Sequence, residues 1–395
     1  MKIITRVILL ALVLFSCIKE PEYHSYQLEI TIDFPDIISN GNKSGAKVVL
    51  FNQLKSYSSE LLSDENGKVI FSNVEPGFYS VTVIHSLNVD GITYFFNGLE
   101  TLVVFNSMNK IIEVNGSKNN DFVIKEIYYS GSVTPAGKSY SSDQYIEIYN
   151  NSSIVQYADG LSVLEHESYA TDENFWKYIK DTIVVRMIWT IPGSGTDVPV
   201  QPGQSIVLAR DGINHKSDPN GNPLSPVNLG NAEFEFFVLW ETDQDIDSPT
   251  VPNLEEDLFV FRGSDIVFHT RGGSALAIAK LPGKNQEERM ESINSWLITK
   301  ETAGGSGSRY YAKIANSYVI DAVEVTWDEA HAIYKRFPVD LDAGYTYVPS
   351  GAKSGKCVRR KIKEIVDGRT VYQDTNNATE DFLKDVDPKP KNYVE

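Results

Sequence analysis

From Tyr26 the chain falls into a period of two: Leu28, Ile30, Ile32 and Phe34 alternate with Gln27, Glu29, Thr31 and Asp33. Such alternation makes one face of a strand apolar and the other polar, so each strand needs a second layer to cover it. The pattern returns in short runs. Val48 to Phe51, Val69 to Phe71, Phe78 to Ile84, Thr93 to Phe96, Leu102 to Phe105 and Asn109 to Val114 are all strand-like. Among them stand Pro76-Gly77 and Asp64-Glu65-Asn66-Gly67, whose Asn-Gly pair accepts the positive φ angles of a hairpin turn. The 21 Tyr and 18 Phe suit strands and the 27 Gly and 17 Pro suit turns, which makes the fold class mainly β. Asn115 to Asn120 is polar and carries a glycine, and reads as a domain boundary.

Two resemblances give these strands an expected architecture of two β-sandwiches. The series Asp64, Asn66, Gly67, Val69, Phe71, Val74, Pro76, Gly77, Tyr79 and Val81 resembles the prealbumin-like sandwich of carboxypeptidase-regulatory modules, across residues 26–115. Such modules commonly serve as spacers or adhesive units. In residues 121–375, Ile124, Glu126 and Tyr128, then Gln144 to Asn150, then Gly160-Leu161 resemble the opening of a lamin-tail-type immunoglobulin-like sandwich. Val200 to Leu208 with its Pro202-Gly203 turn, Val319 to Val323, and the closing run Gly355 to Lys361 continue that likeness. Residues 211–310 depart from it and read as an insertion, with strands at Glu233 to Trp240, Leu258 to Phe261 and Ala275 to Ala279. A helix is expected at 286–297, because Asn285 can cap it, Glu288 follows three residues on, and Met290, Ile293, Trp296 and Leu297 share a face. Thr326 and Glu329 match a capping box for a second, shorter helix, with Ala330, Ile333 and Tyr334 on its apolar side. Residues 376–395 read as a polar tail with a disordered end.

The N-terminus carries an address. Lys2 and Arg6 precede an apolar run from Val7 to Phe15, the layout of a secretory signal over residues 1–16 and too short to span a bilayer. Leu14-Phe15-Ser16-Cys17 resembles the lipobox of bacterial lipoproteins, which implies that Cys17 is acylated and becomes the new N-terminus; the alternative is an ordinary signal cleaved nearby. Residues 17–25 are then a tether, and Lys19, Glu20 and Glu22 resemble the export signal of Bacteroidetes surface lipoproteins. With the C-terminal series Val358 to Lys361, Asp374 to Asn377 and Asp381-Phe382, the chain resembles an uncharacterised Bacteroidetes lipoprotein family, domain of unknown function 4876. The resemblance implies an outer-membrane, lipid-anchored protein facing the cell exterior, with an accessory or ligand-capturing role beside a TonB-dependent transporter.

Charge and motif content narrow the chemistry. A formal charge of −17 repels phosphate backbones, so nucleic acid is excluded as a partner. Cys17 and Cys357 are the two cysteines; with the first acylated, no disulfide framework can form. Asp243, Asp245 and Asp247 place hard oxygen ligands on one loop, which is what calcium takes, but the sixth and twelfth places of an EF-type loop are Ser248 and Leu254. A solvated acidic loop is the alternative, and no other cofactor is indicated. His24, His85, His166, His215, His269 and His331 stand singly, without metal-ligand spacing. Gly193-Ser194-Gly195 and Gly304 to Ser308 read as turns and carry neither a nucleophile elbow nor a phosphate loop. Aromatics crowd the start of the second domain: Tyr128, Tyr129, Tyr140, Tyr145, Tyr149, Tyr157, Tyr169, Phe175, Trp176 and Tyr178. Those on strands alternate between core and surface, and an exposed set can stack on a sugar or porphyrin. The expectation is therefore a non-catalytic binding protein for a small-molecule or glycan ligand. The alternatives are a surface glycan hydrolase using a carboxylate pair, or an adhesion lipoprotein.

Overall fold

The computed structural model describes residues 24–35, 43–52, 54–55, 57–89, 92–118, 121–169, 171, 173–179, 181–239, 245, 247–261, 265–301 and 307–391. The signal-like run and Cys17 lie outside the described residues. The chain is mainly β and divides into two units, residues 1–85 with 98–114, and residues 86–97 with 115–395. Among the described residues no helix is long and apolar enough to cross a membrane.

The first unit is built on the expected alternation. Tyr26–Asp33 buries Leu28, Ile30 and Ile32, pairs antiparallel with Lys68–Val74 and parallel with Met108–Glu113. In a second sheet Lys47–Asn52 pairs antiparallel with Tyr57–Leu62 on one side and with Tyr79 to Ile84 on the other. The turn at Asp64 to Gly67 forms as read: Gly67 takes φ +74° and Asp64 Oδ1 accepts from the N–H groups of Asn66 and Lys68 at 2.9 and 2.8 Å. It is not a hairpin turn, however. Its flanking strands belong to different sheets, because Tyr57–Leu62 pairs with Lys47–Asn52 while Lys68–Val74 pairs with Tyr26–Asp33. The polar boundary at Asn115 also forms a strand, whose backbone pairs with Tyr94 to Asn97.

The second unit is two sheets face to face. One runs Phe234–Glu235, Ser205–Ala209, Tyr145–Asn150, Phe122–Tyr128, Cys357–Arg360, Phe382–Val386. The other runs Leu297–Glu301, Ser308–Ala315, Thr182–Thr190, Leu161–His166, Ala275–Lys280, Val319–Glu324, with Glu255–Phe259 also pairing with Thr182–Thr190. Ile124, Ile146, Leu208, Trp189, Ile278 and Val323 meet in the core between them. The segment read as an insertion is thus integral, supplying strands to both sheets. Trp240 lies outside the described residues, and within Glu233 to Trp240 only Phe234–Glu235 is strand.

The outer faces are covered too. The helix Gln286–Ser295 lies on the second sheet through Ile293 and Met290, with Asn285 Oδ1 capping it by accepting the Glu288 N–H at 3.0 Å. Its buried Arg289 donates to Asp257 at 2.6 Å. On the first sheet, Lys125 pairs with Glu147 at 2.8 Å, both fully buried, and Arg359 pairs with Glu126. The C-terminal segment seals that charge layer: the backbone N–H groups of Lys389 and Lys391 donate to Glu126 and Glu147 at 3.0 and 3.2 Å. What reads as a polar tail from 376 is therefore folded, as the short helix Ala378–Asp381, the strand Phe382–Val386 and this strap. Its polar residues pair with buried charge, which hydropathy alone cannot reveal. The second expected helix is a 3-10 turn, Ala330–Tyr334; Asp328 caps it instead of Thr326, and Ile333 is 66 % exposed. Three residues per turn break the three-and-four spacing that would have given it an apolar side.

Candidate functional site

A row of half-buried rings crosses the second unit: Tyr169, His269, Trp327, His331 and Tyr334. The His269 and Trp327 planes lie 17° apart with centroids at 5.3 Å, and His331 follows at 5.1 Å from Trp327. Tyr169 meets His269 edge-on at 5.9 Å, and Tyr334 lies 6.2 Å beyond His331. The exposed Arg271 guanidinium stands 5.6 Å from the Trp327 ring, within cation–π range. Asp328 fixes the His331 ring, with Oδ1 2.7 Å from Nδ1.

Three separated stretches of chain carry these rings, and one side chain holds them in register. Arg336, 3 % exposed, donates through Nη1 to the carbonyls of Ser168, at 3.1 Å, and Gly273, and through Nη2 to Val325 O at 2.7 Å. Each acceptor lies within four residues of a ring of the row. Glu324, fully buried, orients the guanidinium through a 2.7 Å bond from Nε. Burial alone would raise the Glu324 pKa, but Arg336 and Lys335 hold it below the ordinary carboxylate value. The His269 loop must also approach the Thr326–Trp327 segment closely. Gly272 has φ +88°, and a Cβ there would stand 2.2 Å from Thr326 O, so the turn requires glycine. Burial lowers the His269 pKa and so favours the neutral ring.

A second ring pair stands across the parallel bridge Val325–Thr346: Tyr345 and Tyr347, 14° apart with centroids at 6.4 Å. Lys384 Nζ lies 3.9 Å from the Tyr347 centroid.

Elsewhere in the unit Asp211, Asp245 and Asp265 bring one carboxylate oxygen each within 4.8 Å of one another. Arg210 ion-pairs with Asp265, and Asp245 accepts the Val238 N–H at 2.8 Å. Burial, reinforced by repulsion from Asp265, pushes Asp211 and Asp245 up to about 7; burial also raises Asp265, against its hydrogen bond to Asp245, and Arg210 opposes the shift at all three. Three carboxylates against one guanidinium must share a proton or take a cation, and the donor set is of the hard-oxygen kind.

The sequence-derived sites fare unevenly. Of the acidic loop, Asp243 lies outside the described residues. The Asp247 carboxylate is solvent-facing and accepts from Asn253 at 3.0 Å, and Asp245 turns to Asp211 and Asp265, which no spacing rule connects with it. Of the aromatic crowd, Tyr128, Tyr129, Tyr145 and Tyr149 are core, Phe175 and Tyr178 are exposed, and Tyr169 joins the ring row. Arg336, Trp327 and Gly272 were missed. Their only sequence signal is an arginine set among apolar and aromatic residues, which suits a surface equally well.

No curated protein matches the chain. Among solved structures, a DUF4876 family protein from Bacteroides thetaiotaomicron is 27% identical with a TM-score of 0.60, covering 92% of this chain and 96% of that one. A Pseudomonas aeruginosa protein, provisionally described as carbohydrate binding, is 14% identical over 25% of this chain and 93% of its own, with a TM-score of 0.19. A streptococcal ancillary pilin is 11% identical over 60% and 63%, with a TM-score of 0.18. Superpositions as poor as the last two carry no argument about this chain. The model of the family described as Protein of unknown function (DUF4876) matches residues 201–389, and the likeness to the Bacteroides protein of that family extends along nearly the whole length of the chain.

Proposed function

We propose that the protein is a surface-exposed outer-membrane lipoprotein, anchored through Cys17, that captures a ligand without transforming it and hands it to a TonB-dependent transporter. The observation that carries the ligand-capture part is the Arg336 clamp: a buried guanidinium spends its donors on three carbonyls that position half-exposed rings. Rings fixed before a ligand arrives bind without the entropic cost of ordering them. The anchor rests on the Lys2 to Cys17 run, and acyl chains of about 0.8 kcal/mol per buried methylene hold such a protein to a bilayer without a spanning helix.

The test is extraction of the native lipoprotein in mild detergent after crosslinking. Recovery with an outer-membrane transporter is expected, and loss of membrane association by Cys17→Ser; recovery alone refutes the accessory role. A surface hydrolase is the second reading, favoured by the raised carboxyls of Asp211 and Asp245. Their oxygens lie within 4.8 Å, closer than the about 5–5.5 Å of retaining glycosidases and far from the wider inverting gap. Release of reducing ends from polysaccharide, abolished by Asp245→Asn, would establish it.

A further inference from the structure

We propose that the ring row centred on Trp327 binds neutral glycans, the sugar C–H groups packing against the half-exposed rings and the hydroxyls meeting the charged groups at its margin. The inference rests on the ligand-capture reading and names its ligand class.

Sugars present apolar C–H faces edged with hydroxyls, so a site for them needs aromatic surface beside polar groups of both kinds. That combination is present. Tyr169, His269, Trp327, His331 and Tyr334 supply the rings, while exposed Arg271 offers donors and exposed Asp328 and Glu329 offer acceptors along the same loop and its neighbour. The second ring pair, Tyr345 and Tyr347, stands across the Val325–Thr346 bridge, with Lys384 Nζ 3.9 Å from the Tyr347 centroid. The indole N–H of Trp327 points into the protein, buried and without a hydrogen-bond partner among the described residues, so the ring's contribution to the row is its apolar surface.

Other occupants fit worse. A lipid or apolar helix would strip water from Arg271, Asp328 and Glu329 without replacing it. An anionic polymer would meet a molecule of formal charge −17 with acidic groups on the face itself. A neutral polyhydroxylated chain satisfies both signs of charge through hydroxyl donors and acceptors, and the clamp at Arg336 holds the rings ready.

Affinity electrophoresis of the mature full-length protein in gels containing laminarin, xylan, mannan or amylopectin, with heparin as the anionic control, tests the assignment. At least one neutral polysaccharide should retard the protein and heparin should not. Trp327→Ala should weaken the retardation at least tenfold and Arg271→Ala several-fold, while Tyr57→Ala, an exposed tyrosine of the first unit, leaves it unchanged. Arg271→Ala serves if Trp327→Ala fails to fold, since the Arg271 side chain is exposed. Absence of retardation by all four neutral polysaccharides overturns the assignment, as does retardation unaffected by either substitution. The crosslinking result separates the two claims: a transporter recovered with no glycan binding removes the ligand class alone, and glycan binding without a transporter removes the accessory role alone.

Discussion

Replacing Arg336 by methionine tests whether a single buried guanidinium organises the ring face. The substitution keeps much of the side chain's volume but removes the 2.7 Å bonds to Glu324 Oε1 and Val325 O, the 3.1 Å bond to Ser168 O and the bond to Gly273 O. Glu324, 0 % exposed, keeps the N–H groups of Arg336 and Phe337, both at 2.9 Å, and Lys335 at 3.9 Å. Removing one partner of a buried pair costs about 3–5 kcal/mol, because the remaining charge is stranded. The pH dependence identifies the cause. In the parent protein Glu324 sits below its ordinary 4.5, so its contribution is present above that value and is lost only as pH falls through the lowered one. Without Arg336, burial raises the folded-state pKa above 4.5, and stability is then lost as pH rises through the raised value. Urea unfolding followed by tryptophan fluorescence should therefore show a larger deficit at pH 8 than at pH 5. The double variant Arg336→Met, Glu324→Leu should recover part of the loss. A deficit below about 1 kcal/mol, or one independent of pH, would refute the reasoning.

Two further outcomes follow from other buried charge. Asp245→Asn removes one of three crowded carboxylates; since Asp245 titrates near 7 in the folded protein and near 3.8 unfolded, the parent loses stability as pH rises between those values and the variant does not. The urea midpoint of the variant relative to the parent should rise from pH 4.5 to pH 8. Ending the chain after Val386 removes the Lys389 and Lys391 N–H donors to Glu126 and Glu147 and the Asp387 carbonyl that Arg359 bonds. A loss of about 2 kcal/mol is expected by denaturant titration, with hydrogen exchange rising in Phe122–Tyr128 and Tyr145–Asn150.

Both what the sequence reveals and what it hides can be traced to particular residues. The alternation at Leu28, Ile30 and Ile32 and the Asn285 cap of the helix Gln286–Ser295 were legible because the signals are local, within a few residues of the structure they dictate. Even the Asn66-Gly67 turn was legible in shape and wrong in consequence, since a turn's φ angles do not say which strands its arms will join. The 3-10 turn at Ala330–Tyr334 misled in another way: its composition is helical, but it runs only five residues and its His331 N–H is met by Asp328 instead of by Thr326.

What the sequence alone determined is the class of the molecule, strands with cores on their inner faces and a strongly acidic net charge, because periodicity and charge are properties of neighbouring residues and of sums. Only the tertiary structure decided the site. Tyr169, His269 and Trp327 become neighbours where one arginine bonds the backbone within four residues of each of them, and Asp245 meets Asp211 and Asp265 instead of its partners in sequence. Contacts between distant residues depend on which strands pair and which buried charges must be satisfied, and the spacing along the chain encodes neither.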